Sequence, residues 1–105
     1  MKFNWKAAIK DFVTGDDIKE GDRVITVGII ACRALDATLP NETAPTTDVK
    51  LDRWDLMLRI RDGGEIDKSE IKLIEDRIGQ AFSPSIVGAC HAVLKEPAPP
   101  KKANE

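Results

Sequence analysis

The apolar positions along this chain fall into groups separated by short polar stretches rich in Gly, Pro, Thr and Asp. The densest group runs from Val27 to Leu39. There Val27, Ile29, Ile30, Ala31, Cys32, Ala34, Leu35 and Ala37 leave only Arg33 and Asp36 as a narrow polar strip. A helix apolar nearly all round is a buried one, so this segment is expected at the centre of the fold. Thr26 can cap its start with a side-chain oxygen. A second helix is expected over 49–62, with Asp48 as its cap. It carries two apolar faces at helical spacing: Leu51, Trp54, Met57 and Leu58 on one, Val49, Leu56 and Ile60 roughly opposite. One face should meet the core, and the other calls for the N-terminal ribbon or a second subunit.

Asp62-Gly63-Gly64 stops that helix, and Asp67-Lys68-Ser69-Glu70 has the form of a capping box. A third helix over 68–82 then carries the stripe Ile71, Ile74, Ile78, Ala81 and Phe82. Ser83-Pro84 opens a fourth over 84–95, a hydroxyl cap followed by proline at the first helical position. Gly79 and Gly88 interrupt these two helices at about 1 kcal/mol each relative to Ala, which suggests close backbone approach at both. Upstream, residues 7–26 read as a two-stranded β-ribbon. Ala8, Ile9, Phe12 and Val13 form a short apolar run, with turns at Thr14-Gly15-Asp16-Asp17 and Glu20-Gly21-Asp22. The expected fold is mainly α: a compact four-helix domain over 1–96 with an N-terminal two-stranded ribbon, α+β if that ribbon is well formed. Residues 97–105, rich in Pro and Lys, read as a disordered tail.

Charge narrows the function. Sixteen basic and 18 acidic side chains give a net charge of −2, and both 1–26 and 49–66 are internally balanced. A duplex-binding protein needs several phosphate contacts on one face, so nucleic acid is disfavoured as a partner. Helices 68–82 and 84–95 could pass for a helix-turn-helix pair, but Ser83, Ser85, Gly88 and Ala89 offer little to read a base edge. Two cysteines, no signal-like apolar start and no run of about 18 apolar residues point to a reducing, aqueous compartment and away from the membrane.

Candidate chemistry is thin. Counted as a calcium loop, Arg59 to Glu70 places Gly64, Ile66, Asp67 and Glu70 at suitable positions. The first, third and fifth positions are then Arg59, Arg61 and Gly63, two cations and no side chain, where calcium needs oxygens. Cys32, Cys90 and His91 fall short of a four-ligand zinc set, and neighbours on a helix point about 100° apart. No metal, cofactor or catalytic constellation is expected, and the chain reads as a non-enzyme. The possible interface residues are Val49, Trp54, Leu56, Ile60 and Trp5. For Trp54 core packing is the stronger reading, and for Trp5 the two are even.

The run Leu51-Asp52-Arg53-Trp54-Asp55-Leu56, through Gly63-Gly64-Glu65-Ile66-Asp67 and Glu70-Ile71-Lys72-Leu73-Ile74, resembles a group of small tailed-phage and prophage proteins. So does Arg77-Ile78-Gly79-Gln80-Ala81-Phe82-Ser83-Pro84, ending in Val87-Gly88, and upstream Ile25-Thr26-Val27-Gly28 with Ala34-Leu35. The resemblance spans roughly residues 8 to 95. It implies provenance, a phage or prophage gene expressed in the host bacterial cytoplasm or carried in the virion, and it assigns no site residue. The expected function is a phage accessory protein acting through protein contacts, by self-assembly as a homo-oligomer or by binding a host or phage protein. The alternatives are a virion assembly or head–tail component and a small nucleic-acid-binding early regulator.

Overall fold

A computed structural model of the protein describes residues 2–40 and 42–95; the tail expected at 97–105 lies outside them. Among the described residues the architecture is mainly α, with four helices and a two-stranded antiparallel sheet near the N-terminus. The order is β1 (Lys19–Glu20), β2 (Arg23–Val24), α1 (Val27–Asp36), α2 (Thr47–Asp62), α3 (Lys68–Ala81) and α4 (Pro84–Leu94).

The ribbon is shorter and more knotted than a plain hairpin. β1 and β2 pair Lys19 with Val24 and Glu20 with Arg23. Gly21, at φ 60°, supplies the left-handed residue of the turn between them. Beneath this turn three isoleucines close a ring of backbone hydrogen bonds. Ile9 donates to Ile25 (3.1 Å), Ile25 to Ile18 (2.8 Å) and Ile18 back to Ile9 (3.0 Å). Three chain segments are thus tied at one point, with Ile9 and Ile25 buried in the core. Phe12 and Val13 do not continue the apolar run. They form the tip of a turn in which the Asp11 carboxylate accepts from Val13 N (2.8 Å) and Thr14 N (3.0 Å).

α1 is the buried centre, touching α2, α3 and α4. Thr26 caps it, its hydroxyl accepting from Ile29 N at 3.2 Å. It ends at Asp36 rather than Leu39, because the carbonyls of its last turn are taken by a side chain from α3. Arg77, itself buried, donates to Ala34 O (2.8 Å) and to Ala37 O. With those carbonyls satisfied the chain leaves in extended backbone at Ala37, and Leu39 tucks into the interior.

α2 begins two residues earlier than expected. Thr46, not Asp48, is the cap, accepting from Val49 N at 3.3 Å. Asp48 lies in the first turn, where its charge suits the helix dipole. At the other end Gly63 takes φ 73°, Gly63 N bonds Ile60 O and Gly64 N bonds Arg59 O, the paired bonds of a Schellman stop. The capping box at Asp67 and Glu70 is present with both of its bonds. Pro84 starts α4, but Ser83 makes no side-chain cap; its hydroxyl meets that of Ser85 instead, at 3.3 Å.

The close approach expected at Gly79 and Gly88 is absent, since a Cβ at either would meet nothing within 4 Å. It occurs at Gly28, where a Cβ would stand 2.8 Å from Trp5 O and 3.2 Å from Trp5 Cβ. Gly28 N donates to that same oxygen at 2.8 Å. The glycine therefore lets the N-terminal segment lie against α1 and bury Phe3 and Trp5.

Candidate protein-contact surfaces

The charged side chains with the most perturbed environments are engaged in holding elements together. Glu42 accepts from Arg77 (2.6 Å), Arg53 (2.8 Å) and Leu39 N (3.0 Å). Arg77 above all, then Leu39 N–H and Arg53, lowers its carboxyl to about 2. The loop between α1 and α2 is clasped at this point. A second clasp joins α2 to α3. Arg59 donates to Asp55 (3.1 Å), to Glu65 O (3.2 Å) and to both oxygens of Glu70. Glu70 also accepts from Asp67 N at 3.0 Å. The segment with calcium-loop spacing thus has a guanidinium bridging its first and twelfth positions. Arg59 chiefly, and the capping hydrogen bond second among the favourable causes, holds the Glu70 carboxyl low. A third pair, Arg33 with Glu20 at 2.7 and 2.6 Å, fastens the ribbon to α1.

The thiols face different surroundings from the one histidine. Cys90 is buried, and burial pushes its thiol up to about 11. Cys32 is half-buried and raised too, by desolvation first and by Asp36 second. Both are protonated and poorly nucleophilic at neutral pH. His91, next in sequence to Cys90, points outward to Glu75, Nδ1 to Oε2 3.2 Å. Cys32 and His91 line separate clefts. Among the described residues no three His, Cys, Asp or Glu side chains gather as for a metal ion. No helix of the described residues is long and apolar enough to cross a membrane.

Among the described residues, two exposed apolar areas carry large side chains at the surface. The first is a ridge on α2. Leu51 is 58% exposed and Trp54 54%; Val49 is exposed on the other side of α2, where it shares a separate cleft with Leu73 of α3. One side of Trp54 borders a cleft of about 330 Å³ shared with Lys50, Arg53 and Met57. The second is a groove of about 740 Å³ between the ribbon and α4, floored by Ile9 and Ala89. Its α4 wall is Ser85, Gly88, Ala89 and Ala92, small residues at i, i+3, i+4 and i+7, which share one helix face. Phe12 stands at its rim, 86% exposed, beside Val13 at 87%.

The five interface candidates from the sequence divide accordingly. Val49 and Trp54 are at the surface. Leu56, Ile60 and Trp5 are not, because they fill the domain's own core. The face of α2 that meets α1 is the Leu56–Ile60 face, and Trp54 is a surface residue where core packing was the stronger expectation. Trp5, 4% exposed, is held by the contact at Gly28, and its indole N–H finds no acceptor among the described residues. The groove was missed. Its signals were present in the sequence: Phe12-Val13 flanked by turn formers, and the spacing of four small residues along 85–92.

No known protein family matches the chain, and neither a curated protein nor a solved structure matches it. The surface itself is therefore the guide to function.

Proposed function

We propose that this protein is a non-enzymatic accessory protein of a tailed phage or prophage that acts in the host cytoplasm by binding another protein. One observation carries the reading. The core closes with Leu56 and Ile60 inside, while Leu51 and Trp54 of the same helix stay outside. Exposed large apolar side chains in a cluster mark contact surfaces, and Trp is over-represented among residues that dominate binding energy. The exposed Lys50 and Asp36 line the same cleft as Trp54, giving the apolar anchor a charged rim of the kind interfaces show. The engagement of Glu42, Glu70 and Arg59 in structural clasps is consistent with a protein whose charged groups stabilise rather than catalyse. The phage origin rests on the sequence resemblance over residues 8 to 95.

A photo-reactive benzophenone amino acid at position 54, expressed from the native gene during phage growth or induction, tests this. A discrete cross-linked product is expected, and the neighbouring variant Leu51→Ser should abolish it with the circular dichroism spectrum unchanged. Absence of any discrete product at position 54 would contradict the proposal. So would retardation of a nucleic-acid duplex by low-micromolar protein that Leu51→Ser leaves intact.

A further inference from the structure

We infer that the groove between the ribbon and α4 is a two-fold self-contact, in which Phe12 and Val13 of each copy enter the groove of the other. The inference deepens the protein-contact reading by naming a second copy as one partner, and it uses a surface separate from the α2 ridge.

The occupant follows from shape. A two-fold contact joins the same patch on both copies, so that patch must be self-complementary. This one places the exposed Phe12, followed in sequence by the exposed Val13, at the rim of a mainly apolar groove whose ribbon side also carries Lys10 and Asp11. The projection is built in advance. Asp11 ties the tip through Val13 N and Thr14 N, Gly15 N returns to Asp11 O at 2.9 Å, and Asp11 N bonds Asp16 O at 2.7 Å. Hydrogen bonds from those amides, Thr14 first, lower the Asp11 carboxyl, so the tip keeps its form across the neutral range. The groove, lined along α4 by Ser85, Gly88, Ala89 and Ala92 with Pro84 and Val93 beside them, has room beyond one phenyl ring. A rigid knob entering a preformed groove loses little conformational freedom on binding.

Area sets the strength. An enclosed Phe buries about 150–250 Å², so two knobs and two grooves bury on the order of 1,000 Å² in total, just under the about 1,200–2,000 Å² of stable specific interfaces. A reversible dimer in the micromolar range is therefore expected rather than an obligate one. A net charge of −2 per copy opposes pairing only weakly.

Sedimentation velocity of the full chain, from about 1 µM to about 1 mM, brackets a contact of this size. The weight-average coefficient should climb from monomer towards dimer. Phe12→Asp should weaken association at least about thirtyfold, the loss expected for a central aromatic anchor. Ala92→Arg, on the opposite wall and also exposed, should do the same, and both should keep the parent's circular dichroism spectrum. A benzophenone residue at position 12, in a mixture of isotopically heavy and light protein, should cross-link to residues 85–93 of the other copy. A monomer throughout the range would overturn the inference. So would cross-links confined to one chain, whether to its own α4 or to its residues 96–105. None of those results would remove a cross-linked partner at position 54, which tests the broader reading.

Discussion

At the scale of single residues, glycines show how local cost and tertiary need separate. Gly79 sits in α3 with open space around the position a Cβ would occupy. Its helix-propensity cost is therefore uncompensated, and Gly79→Ala should stabilise the protein by about 0.8–1 kcal/mol. Gly28 is also helical, but there a Cβ would press on backbone, the Trp5 carbonyl 2.8 Å away. Gly28→Ala should destabilise by about 1–3 kcal/mol, the range for overpacking a core, by pushing Phe3 and Trp5 off α1. Urea unfolding of the two variants should give shifts of opposite sign. The sequence draws attention to Gly79, inside a helical run, and not to Gly28, the second residue of α1. The difference lies in a contact made by a residue 23 positions upstream of Gly28, which no local pattern contains.

At the scale of elements, starts and stops were the most legible features, since capping chemistry is local. Thr26, the Gly63 stop, the Asp67–Glu70 box and Pro84 all do what their spacing implies. Errors arose where two candidates stood close together, as with Thr46 and Asp48, or where a distant side chain intervened. Arg77 is the clearest case. It lies among Ile71, Ile74 and Ile78 on the buried face of α3, and its partners, the Ala34 and Ala37 carbonyls and Glu42, are 35 to 43 residues away. The clasp it forms with Glu42 predicts a pH response. Glu42 has a carboxyl lowered from 4.5 to about 2, so its contribution to stability is fully present above about pH 4.5. That contribution is lost as the pH falls from there towards 2. Amide signals of the α1–α2 loop, Leu39 foremost, should move in that window in a two-dimensional NMR titration. Glu42→Gln should remove that part of the response and lower stability at neutral pH. An unchanged Leu39 amide between pH 4.5 and 2 would show that the clasp does not form.

At the scale of the whole molecule, the mainly helical architecture and the central burial of α1 were readable because α1 is apolar on nearly every side. Which face of α2 turns inward was not readable. Both faces carry large apolar residues, and the choice falls to Leu56 and Ile60 through their fit against α1. The contribution of Phe3 and Trp5 to the core was likewise hidden, because it depends on where the ribbon places the N-terminus. The contact surfaces are what remains once those choices are made. Their reading requires that the core be complete without them. The most direct test is the unfolding free energy of a Phe12→Ser, Leu51→Ser, Trp54→Ser triple variant, measured in urea on dilute, monomeric protein. The account predicts a value within about 1 kcal/mol of the parent, as for surface substitutions. A loss of about 3–5 kcal/mol or more, the cost of truncating a large core side chain, would place these residues in the core and contradict it.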